Sequence, residues 1–376
     1  MPQTGDHDYD TSSAFDTIDI DLVVKILSQT AFSPFFTFFI PLFYLFQGGG
    51  TISPIVIKST VYCAAVSTFW CLKWLSRLYR NQGSLFFAPR PLDWSQQIVL
   101  ITGGSSGVGE LLANTLAVRN VNVVVLDIKP IQTENYNITF YKCDVSNWEE
   151  VEAVSKKVIE EVGHPTVLVN NAGVVQGKLL LDLKSKDVLQ TLGVNTLAHF
   201  WTLKAFLPKM IEMNSGHVVS VASVLGLVGS AQMTDYCASK AAVINLHESL
   251  RYELNNRYHA PGVRTTLVCP GHIHTPMFST VSTPQNAFYR FCVPSLAPVT
   301  VVKEIITALD SQHSQIVLLP FYTYSSLIMK LLPSFVRDLA QKFTWADYLM
   351  EDFQKVTAIR ADEAVPISAS EKNKSI

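Results

Sequence analysis

The chain has 376 residues, a formal net charge of −2 and only 16% charged residues, so nothing in its balance points to nucleic acid as a partner. Its 48% hydrophobic content and positive mean hydropathy point toward lipid instead, in a chain longer than a single catalytic domain by about a hundred residues. The cysteines Cys63, Cys71, Cys143, Cys237, Cys269 and Cys292 show no CxxC spacing and fit a reducing compartment.

The first 25 residues are polar and acidic, with Asp6, Asp8, Asp10, Asp16, Asp19 and Asp21. They lack the basic start and small-residue cleavage site of a signal peptide. Residues 26–57 carry no charge, and Phe32, Phe35, Phe36, Phe38, Phe39, Phe43 and Phe46 crowd one part of them. A bilayer-spanning helix needs ~20 apolar residues. Residues 26–46 meet that length, with Pro34 and Pro41 as kinks, before Gly48, Gly49 and Gly50 break the run. A second apolar stretch, residues 61–72, ends in Lys73, Trp74, Arg77 and Arg80. Residues 26–80 therefore read as a membrane-anchoring region, as one span or as a hairpin. Positive charge stays cytoplasmic, which turns the domain that follows toward the cytosol.

Gln97 to Ile101 form a short β-branched run, read as a buried strand, that leads into Thr102-Gly103-Gly104-Ser105-Ser106-Gly107-Val108-Gly109. Residues 110–119, with Leu111, Leu112, Thr115 and Leu116 at helical spacing, read as the helix that follows. Glycines between a strand and a helix N-terminus suit a pyrophosphate, because the backbone approaches closely and the N–H groups and helix dipole face the anion. A second strand, residues 121–126, ends at Asp127. A carboxylate there accepts both ribose hydroxyls and repels a 2′-phosphate, so the cofactor reads as NAD. Ser106 agrees, while Lys129 stands near enough to admit NADP.

Further along come Cys143-Asp144-Val145, a strand at residues 166–169 leading into Asn170-Asn171-Ala172-Gly173, and Val194-Asn195-Thr196. Ser223 lies ahead of Tyr236, and Lys240 follows four residues later. Positions i and i+4 share a helix face, so the Lys ammonium stands beside the phenol. A free phenol titrates near ~10 and is no base at neutral pH until a positive neighbour favours the phenolate. Ser223 adds a hydroxyl to hold the reacting oxygen. Pro270-Gly271, Ile273 and Thr275 complete the series.

In that order these motifs resemble the short-chain dehydrogenase/reductases, over residues 94–320. The resemblance implies a single Rossmann-type, doubly wound parallel sheet with helices on both faces, and a nicotinamide dinucleotide held by Gly103, Ser105, Ser106, Gly107, Val108, Gly109, Asp127, Asp144, Val145, Asn171, Ala172, Gly173, Tyr236, Lys240, Pro270, Gly271, Ile273 and Thr275. It also implies a catalytic tetrad. Tyr236 exchanges the substrate proton, Lys240 lowers its pKa and binds the nicotinamide ribose, Ser223 steadies the alkoxide, and Asn195 holds a relay water.

His272 and His274 lack a third ligand at diagnostic spacing and read as polar loop residues, so no metal is expected. The loop at residues 272–298 carries Phe278, Phe288, Tyr289 and Phe291, a lining that suits a lipophilic substrate. After a last strand at residues 315–320, residues 321–360 turn amphipathic, with Phe335, Leu339, Phe343 and Trp345. They suit a membrane interface, a cap on the substrate entrance, or an ordinary terminal helix. A polar tail at 361–376 reads as disordered. The hydrophobic ends, with Leu331-Leu332-Pro333-Ser334, resemble the membrane-bound retinol dehydrogenase and 17β-hydroxysteroid dehydrogenase type 11 branch. This implies a retinoid, steroid or long-chain lipid at the endoplasmic reticulum or a lipid droplet. A homodimer is left open. A 3-ketoacyl or 3-ketosphingoid reductase uses the same tetrad, and a non-catalytic dinucleotide-binding membrane protein would normally have lost Tyr236 or Lys240.

Overall fold

The computed structural model describes residues 18–81, 92–133, 135–279, 281, 283–284, 286–351 and 353. Most of the acidic leader and the whole polar tail lie outside them. In chain order the helices are α1 (Ile20–Gln29), α2 (Pro34–Phe46), α3 (Pro54–Arg80), α4 (Gly107–Val118), α5 (Trp148–Glu161), α6 (Ser185–Leu192), α7 (Ala198–Glu212), α8 (Thr234–Asn256), α9 (Ala287–Cys292), α10 (Pro298–Ser311), α11 (Ser325–Met329) and α12 (Ser334–Phe343). The strands are β1 (Ile98–Thr102), β2 (Asn122–Asp127), β3 (Ile138–Lys142), β4 (Val167–Asn170), β5 (Gly216–Val221), β6 (Val263–Pro270) and β7 (Gln315–Leu319).

All seven strands pair in parallel in the order β3-β2-β1-β4-β5-β6-β7. The apolar runs of β1, β2 and β4 follow from burial on both faces, since neighbouring residues point to opposite sides. Val99 and Ile101 join α4 and α10 in one core; Leu100 joins α5 and α7 in the other. Each such aliphatic side chain, once buried, contributes about 1.5–3 kcal/mol. Helix α5 starts where Asn147 Oδ1 accepts from the amides of Glu149 and Glu150, which satisfies two otherwise orphaned donors. The strand order runs outward from β1 in opposite directions, to β2 on one side and β4 on the other, and ligands in such sheets bind beyond the strand C-termini at this switch point.

Two compact units divide the chain. One comprises residues 1–90, 287–294 and 320–322, the other residues 91–286, 295–319 and 323–376. In the first, the expected run at 26–46 is two helices, bent by 54° at Thr30–Ser33. Pro34 does not kink a helix; it opens α2, where its missing N–H is needed least, and Pro41 alone lies inside. Helix α3 has 27 residues, beginning well before the expected position 61, and its length is about 40 Å. It is long and apolar enough to cross a membrane, with only 11% of its apolar window buried. Tyr62 Oη donates to Ala31 O at 2.7 Å and Trp70 Nε1 to Phe32 O at 2.7 Å, so α3 returns along α2 as a hairpin. Phe35, Phe36, Phe38, Phe39 and Phe43 of α2 are all exposed.

Candidate active site

The glycine turn joins β1 to α4. Gly103 has φ +65° and Gly107 φ +59°, left-handed values that a β-carbon resists. At Gly109 a β-carbon would lie 2.2 Å from Gly103 O and 2.6 Å from Asn171 Nδ2. Asn171 in turn staples this turn to the end of β4, because its Nδ2 donates to Thr102 O at 3.2 Å and to Gly103 O at 3.1 Å. Thr102 completes the staple. Its Oγ1 accepts from the amides of Asn171 and Ala172 at 3.0 and 3.1 Å. The sequence names Thr102 as the first residue of the glycine motif but gives it no part of its own in the site.

Asp127, at the C-terminus of β2, accepts the Ser105 amide at 3.0 Å on Oδ2 and the Lys129 amide at 3.0 Å on Oδ1. Oδ2 thereby meets the glycine turn at Ser105, and Oδ1 the backbone just past β2. Thr275 stands over Gly107, with its side chain 3.7 Å from where a β-carbon would be. Among the described residues the buried Ser105 hydroxyl has no partner. Asp144 is braced by Ser146, whose N and Oγ donate to its Oδ1 at 2.9 and 2.7 Å, beside the buried Val145. A strained turn that excludes side chains, an unused hydroxyl and an oriented carboxylate together fit a dinucleotide.

Near the end of β5 the tetrad residues meet. Ser223 caps a 3₁₀ turn, its Oγ accepting from Leu225 N at 3.2 Å and donating to Pro270 O at 3.5 Å. Tyr236 and Lys240, on the first turns of α8, are both buried. Lys240 Nζ lies 5.7 Å from the Tyr236 ring centre and donates to Val221 O at 2.9 Å. Asn195 occupies a π-helical turn, Gly193–Leu197, so the kink and the site coincide. Its Oδ1 accepts from Val174 N at 2.8 Å; its Nδ2 donates to Val174 O and to Ser239 Oγ, each at 3.0 Å. A β-carbon on Gly173 would be 3.5 Å from Asn195 Oδ1 and 3.7 Å from Lys240 Nζ, so the glycine leaves a gap between them.

Electrostatics here differ from the sequence expectation that Lys240 lowers the phenol. Burial dominates and pushes Tyr236 up to about 12, against a lowering hydrogen bond with Ser223. Burial also brings Lys240 down to about 8. Both shifts have one cause, the burial of the two groups.

Of the aromatic residues expected around the substrate, Phe278 stands edge-on to Tyr236 at 6.4 Å. Phe288, Tyr289 and Phe291 belong to α9, within the other unit. Met233, Tyr236, Met350 and Phe353 form one buried cluster, with Val175, Leu225, Cys237, Phe278 and Val281 around it. Met350 and Phe353 come from over a hundred residues beyond Tyr236; apolar positions after an amphipathic stretch are the only sequence signal for them. Burial raises the Cys237 thiol, which keeps it protonated packing. Gly271 N donates to Leu319 O at 2.6 Å, and Ile273 bridges Leu296, which fixes the loop that follows β6. His272 Nδ1 pairs with Ser295 Oγ at 2.9 Å, and burial lowers its pKa to about 4. Among the described residues no group of three or more His, Cys, Asp or Glu is placed to hold a metal.

A family model described as short chain dehydrogenase matches residues 97–286. Retinol dehydrogenase 10-B of Xenopus laevis is 37% identical, over 71% of this chain and 88% of its own length. Short-chain dehydrogenase/reductase 3 of Homo sapiens is 37% identical over 70% and 88%. Short-chain dehydrogenase/reductase family 16C member 6 of Bos taurus is 35% identical over 79% and 95%. Among solved structures, a short-chain dehydrogenase from Streptomyces avermitilis superposes with TM-score 0.54 at 23% identity, covering 69% of this chain and 98% of that one.

Proposed function

Because this chain belongs to the short-chain dehydrogenases and is a nicotinamide-dependent oxidoreductase of CH–OH groups, we propose that it works at a membrane on a lipophilic alcohol or ketone, with NAD preferred to NADP. The observation that carries the substrate class is the apolar cluster of Met233, Met350 and Phe353 around the phenol. A retinoid, a steroid or a long-chain lipid meets that lining without leaving a polar group unpaired. The retinol dehydrogenases among the relatives support the same class.

When bound, the nicotinamide supplies the carbon that takes or returns hydride. Tyr236 Oη accepts the alcohol proton during oxidation and donates it during reduction. The Lys240 ammonium, held by Val221 O, stands beside the phenol, and the proton leaves the pair as a unit. Ser223 donates to the substrate oxygen as charge builds there. Asn195, with its amide spent on Val174 and Ser239, keeps open the gap beside Gly173 in which a water reaches Lys240. Asp127 takes the adenosine ribose hydroxyls and disfavours a 2′-phosphate.

The exposed phenylalanines of α2 and the 27-residue α3 support a hairpin buried in lipid. Lys25 before the hairpin and Lys73, Arg77 and Arg80 at its far end then sit on one side, the cytosolic one, of the endoplasmic reticulum or a lipid droplet. Carbonate-washed membranes test this. The full chain should stay in the pellet with its catalytic unit cleaved by protease added from the cytosolic side; a soluble chain or a protected catalytic unit overturns it.

A further inference from the structure

The C-terminal segment beyond β7 runs back to the catalytic tyrosine, and its attachment is polar and specific. Gln341 Nε2, on α12, donates to Gly229 O at 2.9 Å and to Asp347 Oδ1 at 3.0 Å. Asp347 Oδ1 also accepts the Ala231 amide at 2.9 Å, and Ser230 Oγ donates to Ala346 O at 2.8 Å. These contacts all fall on residues 229–231, the last stretch of chain before α8 begins at Thr234. The clasp therefore sets the segment in register with the helix turn that carries Tyr236.

Just past the clasp, Met350 and Phe353 are buried with Tyr236 and Met233. The opposite side of the contact is equally close. Gly177 has φ +62°, and a β-carbon there would come within 2.5 Å of Phe353 Cδ1 and 3.0 Å of Met350 Cε. Tyr236 is left 6% exposed, and Met350 and Phe353 are among the side chains that cover it. A phenyl ring and a thioether cannot pair with polar groups; they read shape and apolar length, and the Met adapts to irregular outlines.

We propose that Met350 and Phe353 are the outer wall of the substrate site and select long apolar alcohols over short ones, with Asp347 as the positioning residue that seats the wall. The proposal rests on the alcohol-oxidising reading above and names a part of the site that selects within it.

The test uses the full chain in membranes, with hexan-1-ol and hexadecan-1-ol as probes. Phe353→Ala should raise KM for hexadecan-1-ol by about tenfold to a hundredfold while moving KM for hexan-1-ol less than about twofold, with nucleotide affinity held. Asp347→Ala should act in the same direction and speed hydrogen exchange at the Ala231 amide. Asp347→Asn keeps an oxygen that accepts from that amide, so it should restore both chain-length selectivity and slow exchange. Unchanged selectivity in Phe353→Ala and Asp347→Ala, or equal losses for both alcohols, overturns the proposal. A readout independent of turnover separates the two ideas: hexadecan-1-ol, and not hexan-1-ol, should slow exchange at residues 345–351. Slowed exchange without turnover keeps the wall and removes the oxidation; turnover with exchange unaffected by either alcohol removes the wall.

Discussion

The Lys240 ammonium and the Tyr236 ring stand 5.7 Å apart, and the ammonium is tied to the Val221 carbonyl at 2.9 Å, so the cation is fixed beside the phenol, with both groups buried. In such surroundings neither group titrates alone. Removing the phenolic oxygen isolates its role. Tyr236→Phe should lower turnover by at least ~10²-fold, the scale of general acid–base catalysis, while nucleotide binding followed by fluorescence stays near that of the parent chain.

The same pair sets a pH profile. With Tyr236 up to about 12 and Lys240 down to about 8, the pair at pH 7 holds a phenol and an ammonium, and its first proton leaves near pH 8. Oxidation needs the deprotonated pair and reduction the protonated one. The rate constant kcat/KM for alcohol oxidation should therefore climb through about pH 8 and that for ketone reduction should fall there. Lys240→Met should abolish this first limb; a profile that keeps it assigns the titration to another group.

Asp127 makes the cofactor prediction. Its carboxylate is aimed by the Ser105 and Lys129 amides, so Asp127→Ser should weaken NAD and raise the relative use of NADP. Steady-state KM values for the two nucleotides decide it. A parent chain that already favours NADP shows the carboxylate argument to be wrong.

Two glycines separate folding from chemistry. At Gly109 a methyl would strike the Gly103 carbonyl and the Asn171 amide, so Gly109→Ala should cost about 1–3 kcal/mol, lower Tm by several degrees and loosen the nucleotide. At Gly173 the same methyl meets Asn195 and Lys240 only at ordinary contact distance. Gly173→Ala should keep Tm and lose turnover, since it fills the gap that a water needs. Calorimetry beside kinetics distinguishes the two.

The parallel sheet was legible because strands buried on both faces must be continuous apolar runs, and β1, β2 and β4 are. The placement of Lys240 beside Tyr236 was legible for a local reason, their helical spacing. The upward push that burial gives the phenol was not, because desolvation depends on what folds over it, and Met350 and Phe353 arrive from far along the chain. The bend at Thr30–Ser33 was equally hidden. A proline at 34 signals both a kink and a helix start, and only the packing of α2 against α3 decides between them. The role of Thr102 was not legible because its work, gathering the Asn171 and Ala172 amides, depends on β4 lying beside β1.

The central claim is that Tyr236 and Lys240 drive NAD-dependent exchange of hydride with a lipophilic alcohol. Membranes carrying the full chain, assayed with a retinol, a steroid alcohol and a long-chain fatty alcohol, each with NAD and with NADP, measure it directly. At least one of the three should be oxidised faster with NAD, and the activity should vanish in Tyr236→Phe membranes. No oxidation of any of the three with either nucleotide, or oxidation that survives in Tyr236→Phe, contradicts it.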